Sequence, residues 1–285
     1  MPILTDPILA SVLTKRDEVG SWIADTQNSL IRVPVRGMLE SGAMFLDDEY
    51  LGDGETMLRF NEHGFRTFCS RVGYRFDQLA MLETPSLASQ VLNDIISQRA
   101  ISSRLENDDF VLDKDRNCII GMVSTSYVGY SNEKFLGDID RMLGSLPQDD
   151  RFEFYQAYGV NTELTIRYTS LTRHGEVKGR GGSGQDVTML GLEFKNSMVG
   201  TSSVRFSYFL HRLACANGMM VPAASATSRV IHSGNLDSFE RRLTECFKEV
   251  HRKLDTVSNM LATLGNLEFD PMRLALSDVN YLGRS

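Results

Sequence analysis

The sequence predicts an α+β fold in which an antiparallel β-sheet with a long β-hairpin packs against amphipathic helices. Segments with apolar residues at helical spacing flank a central region of alternating segments. The alternating segments are separated by polar or glycine-rich turns, and a long amphipathic segment follows them. With 42% hydrophobic and 24% charged residues in 285, the chain has the composition of an ordinary globular protein.

We expect three parts. Residues 1–55 have weak periodicity and many turn formers, which predicts an irregular or peripheral segment. Residues 56–236 are expected to form the α+β core domain. Residues 237–285 are expected to form a long helix and a tail that pack on that core.

The first half of the core reads as helices and a strand pair. Helices are predicted over 61–74 and 86–100, with Asn61 and Ser86 as N-caps. A strand, a turn and a second strand follow over 108–130. A short helix then begins after Ser131 or Asn132.

Three strands are predicted next, over 151–160, 163–172 and 186–195, and a loop over 173–185 joins the last two. The segment 202–218 is predicted to be a helix, because Phe206, Phe209, Leu210 and Leu213 form one stripe. Gly218 can adopt the left-handed backbone conformation that often ends a helix, so it is expected to end this one. The last helix, 237–265, is expected to begin with an Asp-x-x-Glu capping box.

Charge is distributed unevenly along this acidic chain, whose formal net charge is −7. Residues 165–232 contain eight arginines and lysines against three carboxylates, a net charge of +5, so the remainder carries −12. No acidic residue occurs between Phe194 and Leu236. Binding of an anion follows local potential, so the low overall pI does not exclude a polyanion ligand.

Two interpretations of this basic segment are open: a solvated face paired with acidic parts of the same protein, or a site for a nucleic-acid backbone. On a helix, Arg205 and Arg212 would share one face with Tyr208 between them, which suits a single strand because cations follow phosphates and an aromatic ring stacks a base. Tyr208 could equally be a half-buried core residue. The candidate phosphate contacts are Arg173, Lys178, Arg180, Arg205 and Arg212, with His174 and Tyr208 as secondary candidates.

The sequence does not support several other classes of protein. The GRGGSG segment precedes a predicted strand rather than a helix, which argues against a dinucleotide site. The four cysteines lie far apart and lack metal-site spacing, so we assign no metal, cofactor or catalytic residue. No signal peptide and no run of about 18 apolar residues is present, so we expect a cytoplasmic protein without membrane contact.

The stretch GLEFKNSMVGTSSVRFSYFLHRLACANGMMVP, followed by SRVIHSGN, resembles the phage/plasmid-like family of domain of unknown function 932. The resemblance covers roughly 55–235 and implies an origin in phages, prophages or conjugative elements, but no established activity. The order of strand, long hairpin, strand and helix also resembles, at the level of fold, single-strand annealing proteins, which assemble as rings. The residues matching the family motif are Asn196, Ser197, Gly200, Cys215, Asn217, Gly218 and His232.

Three functional hypotheses follow. The first is a non-enzymatic, homo-oligomeric protein of a mobile element that binds single-stranded DNA in recombination, annealing or replication. The second is a small enzyme acting on nucleotides or nucleic acid, with His174, Cys215 or His232 at its centre; Cys215 could pair with either histidine or with His211. The third is an inhibitor or decoy of a host factor, with the acidic remainder as the working surface.

Overall fold

The computed structural model describes residues 5–6, 10–27, 30–35, 38–40, 43–45, 57–79, 82, 84–148, 150–160, 162–178, 185–212, 220–222 and 227–265. Its helices are α1 (Arg16–Gln27), α2 (Glu62–Val72), α3 (Phe76–Leu79), α4 (Pro85–Ile96), α5 (Arg99–Leu105), α6 (Asn132–Gly144) and α7 (Leu236–Gly265). Its strands are β1 (Thr5–Asp6), β2 (Ala10–Leu13), β3 (Leu30–Pro34), β4 (Met38–Glu40), β5 (Ala43–Phe45), β6 (Met57–Asn61), β7 (Asp108–Asp113), β8 (Cys118–Ser124), β9 (Phe152–Val160), β10 (Glu163–Lys178), β11 (Gln185–Ser197), β12 (Val204–Arg212), β13 (Met220–Pro222) and β14 (Ser228–Val230).

The first sheet has the strand order β3-β7-β8-β6-β5-β4, with β1 also pairing with β6. Strand β6 runs parallel to β1 and β8, and the other pairs are antiparallel. The predicted helix after Asn61 is confirmed, because the Asn61 side chain accepts a hydrogen bond from the Gly64 backbone N–H (2.7 Å). Helix α4 is capped by Thr84, whose hydroxyl accepts from the Leu87 N–H, rather than by Ser86.

The second sheet contains the predicted long hairpin and has the order β13-β12-β11-β10-β9-β2, with β14 also beside β12. Every pair in it is antiparallel. The hairpin consists of β10 and β11, of 16 and 13 residues. Strand β10 runs on to Lys178, so the first part of the predicted loop 173–185 is strand. The α+β class with a long antiparallel hairpin is confirmed.

Helices α1, α6 and α7 bury one face of this second sheet. Trp22 of α1 lies against Gly159 of β9, where a Cβ would stand 2.3 Å from the indole ring, so only glycine fits. The apolar stripe of α7 packs into the same cluster through Leu243, Val250 and Leu254, as its spacing predicts. We call the opposite surface of this sheet its outer face.

The helix predicted over 202–218 is wrong within the described residues, because 204–212 form β12. The stripe at helical spacing arises because apolar residues occur on both faces of the strand. Phe206 points into the core with Val204, whereas Phe209 lies on the outer face over Gly191, where a Cβ would stand 2.2 Å from its ring. The two-residue alternation of apolar and polar residues that is typical of a strand is therefore not evident in this part of the sequence.

The start of α7 also differs from the prediction. The Asn235 side chain accepts a hydrogen bond from the Ser238 backbone N–H (2.9 Å), as an N-cap residue does. The expected capping box of Asp237 and Glu240 lies one to four residues inside the helix, which begins at Leu236.

Within 1–55, the described residues form a helix and strands that belong to both sheets. Strand β2 pairs with β9 in the second sheet, α1 packs beneath that sheet, and β3 pairs with β7 in the first sheet. A peripheral hairpin is present as β4 and β5. The two hydrophobic clusters, one under each sheet, extend beyond the expected core domain 56–236, because they also include Trp22, Val33 and Leu243.

A third, smaller cluster joins the two sheets. Val199, which follows β11, packs over Gly121 of β8, where a Cβ would stand 2.6 Å from the Val199 side chain. The Tyr127 hydroxyl donates to the Ser197 carbonyl oxygen (2.7 Å). The two halves are therefore held at the turn that follows the hairpin.

Candidate functional site

A row of residues runs straight across the outer face of the second sheet. Registers between successive strands place its members directly opposite one another. Arg229 of β14 faces Arg205 of β12, which faces Lys195 of β11. That lysine faces Thr165 of β10, which faces Tyr158 of β9. We call these five residues the transverse row.

The two arginines of this row are exposed. Within the described part of the chain, neither guanidinium has a hydrogen bond or an ion pair. Like charges directly opposite each other on adjacent strands destabilise a sheet, here by about 0.5 kcal/mol. Lys195 is different, because it forms an ion pair with Glu163 (2.6 Å).

Two aromatic side chains of the outer face lie close to Arg167, beside the transverse row. The Arg167 guanidinium lies 5.0 Å from the centre of the Tyr158 ring and 5.8 Å from that of Phe209. Its Nε donates to Glu193 (2.7 Å), so its charge is balanced. The half-buried Tyr158 donates its hydroxyl hydrogen to Gln156 (2.6 Å).

Arg173 is held by neighbouring groups and does not join the transverse row. Two of its nitrogens donate to the Asp150 carboxylate, and its Nη2 also contacts Asp255 (2.9 Å). Its Nη1 donates to the Ser258 hydroxyl (2.6 Å). These hydrogen bonds raise the pKa of Arg173. The side chain is only 18% exposed, so the geometry favours a structural role over the predicted phosphate contact.

The structure describes the other predicted basic residues to different extents. His174 is exposed on β10. Lys178 ends β10 and Arg212 ends β12, and only their backbones are described; Arg180 lies outside the described residues. Because residues 204–212 form a strand rather than a helix, the shared helical face predicted for Arg205 and Arg212 is wrong.

Tyr208 is a core residue. It is 1% exposed and packs in the cluster beneath the second sheet. Its hydroxyl donates to the Val250 carbonyl oxygen of α7, and burial raises its pKa. Of the two interpretations open at the sequence level, the structure therefore supports the core residue and contradicts base stacking by this ring.

The family-motif residues around 196–200 build the turn after the hairpin. The buried Asn196 amide donates to the Tyr130 carbonyl oxygen (2.8 Å) and to the Asn132 side chain (2.7 Å). The Ser197 hydroxyl accepts from two backbone N–H groups in the turn, those of residues 199 and 201. Gly200 has φ +77°, a left-handed conformation that favours glycine.

His232 is buried between two aromatic rings. It stacks on Tyr127, with ring centres 4.8 Å apart, and on Phe239, at 5.4 Å. Its Nδ1 lies 3.0 Å from the Val128 carbonyl oxygen, and its buried Nε2 has no hydrogen-bond partner among the described residues. Burial lowers the pKa of this imidazole, so the neutral ring is the form that fits.

No catalytic pair is visible in the described part of the chain. Cys215, Asn217 and Gly218 lie outside it, so the proposed pairing of Cys215 with a histidine and the helix end at Gly218 concern residues without a described structure. His211 is buried and packs against Tyr155 (4.6 Å between ring centres). Among the described residues, no cluster of His, Cys, Asp and Glu could hold a metal ion, and no helix is long and apolar enough to cross a membrane.

Sequence reasoning missed Arg229 and Tyr158 as site residues. Arg229 is one of the eight arginines and lysines counted in 165–232, but its position opposite Arg205 depends on β12 being a strand. The signal that could have found the pair is the alternation of Val204, Phe206 and Tyr208 with Arg205 and Ser207.

The fold and this surface define the class: an α+β protein with an antiparallel hairpin sheet whose outer face carries two exposed arginines directly opposite each other. Residues 119–274, more than half of the chain, match the family model described as domain of unknown function (DUF932). The chain belongs to that family, as its motifs indicate. Neither the curated proteins nor the solved structures gave a match.

Proposed function

We propose that this protein binds single-stranded DNA along the transverse row, as a non-enzymatic component of recombination, annealing or replication in a mobile element. The observation that carries the proposal is the exposed pair of Arg205 and Arg229, directly opposite each other without a described carboxylate partner. A phosphate backbone would offset a repulsion that costs the isolated protein stability.

The geometry suits a flexible strand crossing the β-strands. Neighbouring strands are about 4.8 Å apart, so Arg229 and Lys195 are separated by about 10 Å and Arg229 and Tyr158 by about 19 Å. Cations occupy one end of this path and the half-buried Tyr158 the other. Proteins that bind single-stranded nucleic acid without sequence preference combine cations that contact phosphates with aromatic rings that stack on bases. Tyr158 thus replaces Tyr208 as the aromatic candidate.

The fold-level resemblance to single-strand annealing proteins relied on a helix directly after the hairpin. Strand β12 occupies that place, so the topology adds no support to the proposal. Self-association belongs to the same proposal, and the exposed Val12 of β2, at the far end of the path, offers an apolar contact for a second copy. Fold analogy by itself is weak support for a function.

The charge reversal Arg229→Glu tests the proposal. It places opposite charges across β12 and β14, so stability should stay the same or rise by about 0.5 kcal/mol. Affinity for a fluorescein-labelled oligo(dT), measured by anisotropy, should fall at least about tenfold at low salt. The slope of log affinity against log salt concentration should become shallower by about 1.4. That is the value for two lost phosphate contacts, because the substitution removes the Arg229 contact and the new carboxylate pairs with Arg205.

The matched control is Arg99→Glu, which makes the same charge change on α5, beside the first sheet. It should leave oligo(dT) affinity within about twofold of the wild-type value. Unchanged affinity of Arg229→Glu would overturn the proposal. An equal loss in both variants would also overturn it, because binding would then follow net charge rather than the transverse row.

A further inference from the structure

A cleft of about 1180 Å³ opens between α6 and α7, beneath the second sheet and away from its outer face. Its apolar lining is formed by Met142 of α6 with Leu243 and Phe247 of α7. Leu243 and Phe247 also belong to the stripe that packs into the core, so the cleft floor is continuous with the hydrophobic cluster. The cleft exceeds the size of most sites for single small molecules.

Gly137 is the residue of this cleft that packing does not explain. It lies in the middle of α6, and a Cβ built on it would have no atom within 4 Å. Glycine inside a helix is destabilising relative to alanine. The missing side chain leaves the helix backbone accessible from the cleft, as close approach of another chain would require.

Charge is uneven along the cleft. At one end Lys134 is paired with Glu240. At the other end lie Arg141, Lys248 and Arg252, together with His251.

Among the described residues that line the basic end, the one carboxylate is Asp138, which already accepts hydrogen bonds from Tyr130 (2.6 Å) and Arg141 (2.8 Å). The Arg141 side chain nevertheless remains 79% exposed. Lys248 is paired with Glu245 of α7 (2.8 Å), so Arg141 and Arg252 carry the positive charge of this end. A ligand that fits this lining therefore carries apolar side chains for the floor and carboxylates for the basic end.

We propose that this cleft binds an acidic amphipathic peptide segment of a partner protein. Its volume and apolar floor match the groove that receives the apolar face of a helix, and the basic end selects acidic sequences. Gly137 lets the segment approach α6 closely, and Met142 provides an adaptable contact. This site is separate from the transverse row and does not depend on DNA binding.

The variant Gly137→Leu fills the cleft without an expected clash, and removal of a helix-interior glycine should preserve or raise the melting temperature. We would select a random peptide display library on the wild-type protein and counter-select on Gly137→Leu. The selected peptides should carry Asp or Glu beside apolar residues at i, i+3, i+4 spacing. Measured by anisotropy, their affinity should fall at least about tenfold in Gly137→Leu and in Arg141→Glu/Arg252→Glu.

Gly137→Ala and Arg241→Ala, the latter on α7 outside the cleft, are the controls and should bind these peptides nearly as the wild type does. The proposal is overturned if no peptide discriminates against Gly137→Leu, or if the selected peptides lack acidic residues. It is also overturned if Gly137→Leu loses oligo(dT) affinity, because the cleft would then belong to a nucleic-acid site. Should Gly137→Leu not fold, the Arg141→Glu/Arg252→Glu variant decides by the same criteria.

Discussion

Replacing Arg173 by alanine should destabilise the protein strongly, since this side chain ties the hairpin to two distant segments. Asp150 is the partner that matters most, as its side chain is only 10% exposed and receives two nitrogens of the guanidinium. Asp255 is 81% exposed, so its ion pair contributes little. Ser258 adds one hydrogen bond from α7.

The expected loss is roughly 3 kcal/mol of unfolding free energy, at the lower end of the range for removing one partner of a buried ion pair. Urea unfolding followed by the fluorescence of the single tryptophan, Trp22, measures it. Arg173→Lys keeps the charge but loses the bidentate contact, so it should recover only part of the loss. The double variant Arg173→Ala/Asp150→Ala should cost less than the sum of the single changes.

The reasoning is refuted if Arg173→Ala unfolds within about 0.5 kcal/mol of the wild type, the scatter typical of surface substitutions. A loss of oligo(dT) affinity at unchanged stability would refute it in a different way. That result would restore the phosphate contact that the sequence predicts for this arginine.

Two further changes test the interior. Lowering the pH from 8 to 5 should lower the melting temperature. The folded-state pKa of His232 lies below its ordinary value of 6.5, because burial disfavours the charged ring. The stability that the neutral His232 contributes is therefore complete above pH 6.5 and is lost as the pH falls below that value. His232→Gln should flatten this dependence in thermal melts, and an unchanged pH profile would contradict the assignment. Gly191→Ala should cost about 1–3 kcal/mol in urea unfolding, because the new Cβ meets the Phe209 ring at 2.2 Å. The control Gly20→Ala, in α1 with open space around the new Cβ, should be neutral or stabilising, and equal results for the two glycines would contradict the packing argument.

Local patterns predicted β9, β10 and β11 of the second sheet and failed at β12, where apolar residues occur on both faces of the strand. Alternation along Leu164, Ile166 and Tyr168 identifies β10, because only the core-facing side carries large apolar residues. In β12, Phe209 fills the space over Gly191 on the outer face, and the resulting spacing imitates a helix. No local pattern reveals that the glycine lies opposite.

The candidate site was predictable in charge but not in arrangement. The basic excess of 165–232 is visible in the sequence. Which cations are neutralised depends on carboxylates that are remote in sequence, such as Asp150 for Arg173, or on the facing strand, such as Glu193 for Arg167. The pairing of Arg205 with Arg229 likewise depends on strand register.

The path of the chain through the two sheets has a consequence during translation. Strand β2 and helix α1 are made early, but their partner β9 emerges from the ribosome only after the first sheet, up to β8, has been synthesised. The first sheet can therefore close while α1 still exposes Trp22 and its apolar neighbours. Since pairing of such distant segments is slow, the nascent protein should need a chaperone at this stage.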